Sequence, residues 1–182
     1  SVTDALTGLY NRRLFEARLR EEFSRAQRYG DPLGLLMVDL DHFKQVNDRY
    51  GHLLGDEVLR GTAEVLRGCV RDSDLVTRFG GEEFALILPR TPLAGALAVA
   101  ERIWRALGKA RFGRTGVAIR VTASLGVAGL PALEVRVPAD LVDAADRALY
   151  RAKRAGRDRI GLPPGAPGPA SLPPPGEANA TE

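Results

Sequence analysis

The sequence predicts an α/β protein in which helices flank a central mixed β-sheet. The segment 33–40 is short and almost wholly apolar, as expected for a strand that is buried on both faces. Two further apolar segments, 75–79 and 84–88, flank Gly80 and Gly81 and predict a β-hairpin. Helical patterns separate the other strand candidates, and a sheet built from both hairpins and crossover helices has mixed strand directions.

The other elements follow from hydrophobic spacing and from glycine and proline stops. The predicted helices run from about Arg12 to Tyr29, His42 to Tyr50, Asp56 to Val70, Pro92 to Leu107 and Pro138 to Ala155. Further strands are predicted at 117–127 and 159–160. Thr91 is expected to be the N-cap of the fourth helix, with Pro92 at its first helical position. The resulting order of elements is α-β-α-α-β-β-α-β-α-β.

Composition limits the class of protein. The chain has 182 residues and is 45% apolar, which is enough for one domain with a genuine core. The formal net charge of +3 is modest, so charge alone does not indicate nucleic-acid binding. Cys69 is the only cysteine, which excludes an internal disulfide and is typical of a protein from a reducing compartment.

The sequence contains no signal for membrane insertion or secretion. It has no run of about 18 apolar residues, the length that a membrane-spanning helix needs, and it does not start like a signal peptide. Residues 162–182 are rich in proline and glycine and poor in large apolar side chains. Such a segment cannot bury enough surface to offset its ordering entropy. We therefore expect a folded domain over residues 1–161 and a disordered tail over residues 162–182.

Two carboxylates end the first long strand. Asp39 and Asp41 are two residues apart, so strand geometry places both on the same face. Carboxylates at the end of a buried strand need a partner, and a cation is the simplest one. A local interpretation also exists, in which Asp41 caps the helix that begins at His42. That interpretation leaves Asp39 unexplained.

The hairpin turn carries two more acids, Glu82 and Glu83. If the turn lies beside Asp39 in the sheet, carboxylates from the two strands can share a divalent ion. Mg²⁺ suits such a site because it takes oxygen ligands, keeps some waters and completes its shell with substrate phosphates. Gly80 and Gly81 have no side chains, so a ligand can approach the turn closely. The alternative is an ordinary Gly-Gly hairpin with solvated glutamates.

Four segments of the chain resemble one known family. The run 80-GGEEF-84 is similar to the signature of the GGDEF family, the diguanylate cyclases, in its variant with glutamate at the third position. The other three segments resemble, in order, the family's opening motif, its metal- and base-binding segment and its closing helix. They are 4-DALTGLYNRR-13, 39-DLDHFKQVNDRYGHLLGDEVL-59 and 145-ADRALYRAKRAGRDR-159. The resemblance covers about Asp4 to Ile160 and implies a nucleotidyl-cyclase, ferredoxin-like core.

The resemblance also implies roles for individual residues. Asp39, Glu82 and the backbone carbonyl of Leu40 would hold Mg²⁺, with Mn²⁺ as the alternative metal. Glu83 would lie close to the reacting sugar hydroxyl, and we expect Glu83, Glu82 and Asp39 to be the catalytic residues. Asn47 and Asp56 would bind the guanine edge, for which an amide and a carboxylate are a sensible pair. The other implied substrate-binding residues are Phe43, Lys44, His52, Gly81, Lys153 and Arg157.

Two features of the residues themselves favour a triphosphate at this site. The backbone N–H groups of His42, Phe43 and Lys44 begin a helix, and helix N-termini bind phosphate well. Arginine accounts for 23 of the 26 basic residues. Even so, two of the three lysines, Lys44 and Lys153, fall at implied phosphate positions.

The implied reaction condenses two GTP molecules into cyclic di-GMP and releases two pyrophosphates. The 3′-hydroxyl of one GTP attacks the α-phosphate of the other, twice. Each domain holds one GTP, so the productive state is a homodimer, and a lone monomer is expected to be nearly inactive. Because the chain begins within the opening motif, we expect the C-terminal output domain of a longer signalling protein. We expect this domain to be cytoplasmic and without membrane contact of its own, whether or not its parent protein is membrane-anchored.

A second site is implied upstream of the hairpin. The pattern 71-RDSD-74 resembles the family's inhibitory product site, and Arg102 matches a further arginine that some members use. Arginine suits the O6/N7 edge of guanine and phosphate, while aspartate accepts from guanine N–H groups. We therefore expect cyclic di-GMP to bind Arg71, Asp74 and Arg102 as an inhibitor. An ordinary surface salt bridge has the same sequence pattern.

Three other functions remain as alternatives. A catalytically silent domain would bind GTP or cyclic di-GMP as a sensor, but silent members usually lack glycines or acids of the signature, and none is missing here. A cyclase with another base preference is less consistent with Asp56. A nucleic-acid-binding domain on a similar sheet requires exposed aromatic side chains and a basic stripe. Aromatic residues make up only 6% of this chain.

Overall fold

The computed structural model describes residues 1–113 and 117–166, and most of the predicted tail therefore lies outside the described residues. Its helices are α1 (Arg12–Tyr29), α2 (Phe43–Tyr50), α3 (His52–Gly68), α4 (Leu93–Lys109) and α5 (Pro138–Arg154). Its strands are β1 (Tyr10–Asn11), β2 (Leu33–Leu40), β3 (Leu75–Arg78), β4 (Glu83–Pro89), β5 (Ala123–Leu130) and β6 (Ile160–Gly161). Within the described ranges, no helix combines the length and the apolar composition that crossing a bilayer requires.

The six strands form one mixed sheet in the order β1-β3-β4-β2-β5-β6. The β3–β4, β4–β2 and β2–β5 pairs are antiparallel, whereas β1–β3 and β5–β6 are parallel. The predicted central mixed sheet with flanking helices is thus confirmed. β2 lies at its centre, which explains why all eight of its residues are buried.

The side chains of β2 alternate between two apolar layers. Leu36, Val38 and Leu40 join a cluster that contains the buried faces of α3 and α4. Leu33, Leu35 and Met37 join a second cluster with the buried faces of α1 and α5. A strand covered on both faces needs apolar residues at successive positions, because each position faces a different layer. The sheet is therefore sandwiched between two helical layers. Asp39 and Asp41, the predicted strand-end acids, lie where β2 ends.

The start of α3 differs from the prediction. This helix begins at His52, four residues before the predicted Asp56, and only Gly51 separates it from α2. Gly51 has φ +86°, a conformation that glycine adopts without steric cost. Its N–H donates to the Asn47 carbonyl at 2.8 Å, and its own carbonyl accepts from the Gly55 N–H at 3.2 Å. One glycine thus ends one helix and begins the next, which places Asp56 within α3.

Two predicted boundaries are wrong for local reasons. Pro92, not Thr91, is the N-cap residue of α4, because the Thr91 hydroxyl donates to the Pro89 carbonyl instead of capping the helix. β5 begins at Ala123 and not at Val117. Upstream of it, Ile119 forms an isolated bridge with Phe112. The apolar pattern there reflects packing of Ile119 and Phe112 against the α3–α4 layer, and not continuation of the strand.

Candidate active site

The predicted acids lie on neighbouring strands. Asp39, near the end of β2, pairs in register with Glu83, the first residue of β4. Glu83 also closes the hairpin, since its carbonyl accepts from the N–H groups of Phe79 and Gly80 at 2.8 and 3.2 Å. The Glu82 carbonyl accepts from the Leu40 N–H at 3.3 Å. The sheet therefore brings the hairpin acids and the end of β2 together, as the sequence predicts.

Lys153 joins this group from the helical layer. Its Nζ lies 2.8 Å from the Asp39 Oδ2, although the two residues are far apart in sequence. Asp39 is 7% exposed, so this ion pair is largely withdrawn from water. A buried carboxylate without such a cation would be costly. Lys153 thus acts as the counter-charge of the strand end in the structure as described.

Burial controls the protonation of the acids. Burial raises the pKa of Asp39 above its ordinary value, and the charges of Glu82 and Asp41 raise it further, while Lys153 lowers it without reversing the shift. Burial also raises the pKa of Glu83, and the Asp39 charge adds to that shift. Burial is the larger cause of both shifts and the neighbouring acids add to it, so Lys153 does not fully compensate the ionised carboxylates. An additional cation would favour their ionised forms.

The oxygen ligands available here fit a hard divalent cation. Because the N–H and C=O groups of a strand residue point toward the same neighbouring strand, the Leu40 carbonyl points toward the side of Glu82. Two carboxylates and a carbonyl are the kind of incomplete oxygen set that Mg²⁺ uses when phosphates and water fill its other positions. Among residues 1–113 and 117–166, no group of three or more His, Cys, Asp or Glu side chains is arranged to hold a metal ion by itself.

A second group of predicted residues meets where α2 joins α3. Asn47 is half-buried on α2 and packs against Gly55, where an added Cβ would lie within 1.9 Å of the Asn47 Oδ1. Asp56 follows directly and is also half-buried. The Gly51 junction thus places Asn47 against the turn of α3 that carries Asp56. His52, the first residue of α3, is exposed.

The start of α2 supplies unpaired backbone donors. The first N–H groups of a helix have no partner within the helix, and here the N-cap residue His42 makes no side-chain cap. The Phe43 side chain is buried in the core, so only its backbone faces this site. Lys44 is exposed and lies 3.9 Å from Asp48, one turn further along. Arg157, after α5, is also exposed and has φ +64°.

The alternative interpretation, in which Asp41 caps the helix that follows it, is wrong. Its carboxylate accepts from the Thr122 and Ser124 hydroxyls, each at 2.7 Å, and from the Asp158 N–H at 3.0 Å. These partners are distant in sequence, so a pattern of local capping could not reveal them. Asp41 connects the end of β2 to β5 and to the turn after α5.

Arg78 is a residue of the site that the sequence reasoning missed. Its Nε and Nη2 donate to the Gly81 carbonyl at 3.1 and 2.9 Å. Its Nη1 donates to the Asp4 carboxylate at 3.1 Å, and Asp4 also accepts from the Thr7 N–H and hydroxyl. The available sequence signal was the opposite charge of the two residues. Asp4 lies in the motif 4-DALTGLYNRR-13, and Arg78 lies two residues before the glycine pair of the hairpin. Arg78 ties the hairpin turn to the N-terminal segment.

The predicted product-site residues meet at the loop between α3 and β3. The Arg71 N–H donates to the Asp74 Oδ2 at 2.9 Å, and the Asp74 N–H donates to the Arg71 carbonyl at 3.0 Å. The other carboxylate oxygen, Asp74 Oδ1, is buried and has no hydrogen-bond partner among residues 1–113 and 117–166. The Arg102 Nε donates to the Cys69 carbonyl at 2.8 Å, so α4 places this arginine against the same loop. The Arg71 side chain is exposed.

The family model described as "Diguanylate cyclase, GGDEF domain" matches residues 1–159. The chain belongs to this family.

Two curated relatives and two solved structures illustrate the similarity. Diguanylate cyclase DgcP of Pseudomonas aeruginosa is 45% identical over 161 residues, which cover 88% of this chain and 24% of DgcP. Response regulator PleD of Caulobacter vibrioides is 44% identical over 164 residues, covering 88% of this chain and 36% of PleD. The chain thus spans about a quarter to a third of these relatives.

The solved structures match the domain nearly end to end. The GGDEF domain of DgcB from Caulobacter crescentus, solved in complex with c-di-GMP, has a TM-score of 0.84 at 33% identity, covering 89% of this chain and 95% of that one. The active GGEEF domain of a diguanylate cyclase from Vibrio cholerae has a TM-score of 0.80 at 35% identity, covering 86% and 98%.

Proposed function

We propose that this chain is a diguanylate cyclase domain that condenses two GTP molecules into cyclic di-GMP and two pyrophosphates. The observation that carries the proposal is the pairing of Asp39 with Glu83 across β2 and β4, with Glu82 and Lys153 beside them. Burial, with a smaller contribution from neighbouring acids, raises the pKa values of Asp39 and Glu83. Perturbed acids of this kind are common at functional sites, and a bound cation would favour their ionised forms.

The metal would be held by the Asp39 and Glu82 carboxylates and by the Leu40 carbonyl. When bound, Mg²⁺, or Mn²⁺ in its place, would stabilise negative charge on the α-phosphate and on the leaving pyrophosphate. Glu83 lies next to Asp39 in the sheet. Its raised pKa makes it a better proton acceptor than an ordinary glutamate, which suits a group close to the attacking 3′-hydroxyl.

The remaining residues would hold the nucleotide. The Asn47 amide can donate to the guanine carbonyl, while the Asp56 carboxylate accepts from the guanine N–H groups. The unpaired N–H groups at the start of α2, together with Lys44, Lys153 and Arg157, would bind the triphosphate. His52, at the start of α3, and Gly81, at the hairpin turn, would also contact the nucleotide.

Catalysis would need two copies of the domain. One domain carries one set of base- and phosphate-binding residues, so the second GTP must be presented by a second copy. Holding the two nucleotides face to face replaces a bimolecular encounter by a positioned one. We expect the reaction in the cytoplasm, where GTP is available.

The decisive experiment fuses a parallel coiled-coil dimer upstream of residue 1 and incubates the dimer with GTP and Mg²⁺. Chromatography should detect cyclic di-GMP, and Glu83→Gln should lower the rate at least about a hundredfold, as expected for loss of a group acting in the transition state. An excess of ATP should not compete if guanine is the base selected. A folded dimer that binds GTP yet forms no cyclic product would instead indicate a sensor.

We also propose that cyclic di-GMP binds the Arg71–Asp74 loop and inhibits the reaction. The buried Asp74 Oδ1, which has no donor within the described part of the chain, supports this proposal, because a buried acceptor without a donor is costly and guanine offers N–H donors. Replacing Arg71 and Asp74 by alanine should remove inhibition by added cyclic di-GMP and leave the initial rate of GTP turnover unchanged. Inhibition of the same strength in the double variant would exclude this site.

A further inference from the structure

The proposed function assigns no task to the Asp41 carboxylate, although it is 5% exposed and directly follows the metal-binding segment of β2. In the described part of the chain, its carboxylate accepts three hydrogen bonds, from two hydroxyls and one backbone N–H. An ionised carboxylate is the one side chain that accepts on both oxygens without donating. The surroundings of Asp41 therefore fit an ionised carboxylate. These hydrogen bonds come from Thr122, Ser124 and Asp158, and not from Lys153 or the hairpin.

One of these donors belongs to a turn of unusual geometry. Gly156, Arg157 and Asp158 have φ values of +116°, +64° and +45°, three successive positive values after the end of α5. Residues other than glycine rarely adopt this conformation, and it persists only where the surroundings hold it. The Asp158 N–H donates to the Asp41 Oδ2, and the Asp158 Oδ1 accepts from the Trp104 Nε1 at 2.9 Å. Asp158 is thus fixed from both sides.

We propose that Asp41 is a positioning residue for triphosphate binding. By holding Asp158, it fixes the backbone of the preceding residue, Arg157, in the left-handed conformation that directs this arginine toward the phosphate site. The end of β2 and the residue after it then supply both halves of the site: Asp39 for the metal, and Asp41 for the turn that presents the phosphate-binding arginine. The inference rests on the proposed function, since it requires that Arg157 bind the triphosphate.

The test is a double-mutant cycle on nucleotide affinity. Calorimetry would measure binding of a non-hydrolysable GTP analogue with Mg²⁺ to the full chain carrying Asp41→Ala, Arg157→Ala or both. Each single substitution should weaken binding about tenfold, as for loss of a charge-assisted contact. The double variant should be no more than about threefold weaker than either single variant, since coupled residues are not additive. In a parallel cycle, the affinity losses of Asp41→Ala and Asn47→Ala should multiply to about a hundredfold. These two effects should be independent, because Asn47 contacts the base and not the triphosphate.

Two further variants separate positioning from general stability. Ser124→Ala removes one donor to Asp41 but leaves the bond to Asp158, so its affinity should remain within about twofold of wild type. Trp104→Phe removes the other bond to Asp158 while keeping an aromatic ring in the core. It should weaken binding about threefold and show the same non-additivity with Arg157→Ala. If Asp41→Ala does not fold, this cycle still tests whether holding Asp158 positions Arg157, and an additive result would overturn the proposal.

Each result has a separate meaning. Multiplication of the Asp41 and Arg157 effects, or unchanged affinity in a folded Asp41→Ala variant, would overturn the positioning role. Equal losses in Ser124→Ala and Asp41→Ala would also overturn it, since they indicate general loosening. A wild-type chain that does not bind the analogue at all would refute the proposed function itself.

Discussion

Replacing Asp4 by asparagine is expected to destabilise the domain by about 2 kcal/mol, because it weakens the link between the N-terminal segment and the hairpin. The Asp4 carboxylate accepts from the Thr7 N–H and hydroxyl and from Arg78. The Asp4 and Arg78 side chains are 23% and 19% exposed, so solvent screens this pair less than a surface pair. Asparagine keeps one acceptor oxygen for Thr7 but loses the charge, and one charge-assisted hydrogen bond contributes about 1.5–3 kcal/mol.

The pH dependence of this effect has a defined sign. Burial alone would raise the pKa of Asp4, but the hydrogen bonds from Thr7 and Arg78 lower it below the ordinary value of 3.8. A carboxyl group with a lowered folded-state pKa stabilises the fold above the unfolded-state pKa. That contribution is lost as the pH falls through the folded-state value. The advantage of wild type over Asp4→Asn should therefore be complete near neutrality and vanish only below a pH of about 3.8.

Thermal unfolding followed by circular dichroism measures the effect. For a domain of this size, about 2 kcal/mol corresponds to a fall in Tm of roughly 4–8 °C. Asp143→Asn is the matched control, because Asp143 pairs with Arg147 at 3.0 Å while both side chains are about 60% exposed. That variant should change stability by less than about 0.5 kcal/mol. The reasoning fails if the two variants melt at the same temperature.

Two further predictions concern the nucleotide site. Gly55→Ala should weaken GTP binding at least about tenfold, because its Cβ would displace Asn47, whereas Gly68→Ala in the same helix meets no atom within 4 Å and should bind normally. Equal affinity in the two variants, measured by calorimetry, would argue against Asn47 as a base contact. Because burial raises the pKa of Glu83, its ionisation opposes folding, so the metal-free wild type should lose stability relative to Glu83→Gln as the pH rises from about 4.5. Urea unfolding at several pH values checks this sign, and a gain of stability with rising pH relative to the variant contradicts it.

The accuracy of the sequence predictions follows the range of the interactions involved. α1 and β2 begin and end at the predicted residues, because their boundaries depend on local patterns: a Gly-Asp-Pro stop and an unbroken apolar run. β1 was missed, since two residues are too few to show a period, and it exists only through pairing with the distant β3. The partners of Asp41 and Arg78 could not be predicted for the same reason.

The candidate site was predictable to a different degree. The sequence left open whether the strands of Asp39 and Glu82 lie close. The register of β2 with β4 pairs Asp39 with Glu83, and the Leu40 N–H donates to the Glu82 carbonyl, so the two strand ends do meet. The individual roles of Asn47 and Asp56 came from family resemblance, because their convergence depends on the one-residue junction between α2 and α3. Nothing in the spacing of those residues indicates where the second helix begins.

The ion pair between Asp39 and Lys153 has a consequence for the order in which ligands load. While Lys153 neutralises Asp39, the lysine competes with divalent ions for this carboxylate. In the proposed site, a divalent ion bound to Asp39 would release the Lys153 ammonium group, which would then be available to a phosphate oxygen. Each ligand would thereby lower the free-energy cost of binding the other, and by thermodynamic reciprocity the assistance would be equal in both directions. Such an exchange would favour joint uptake of metal and nucleotide over uptake of either one alone.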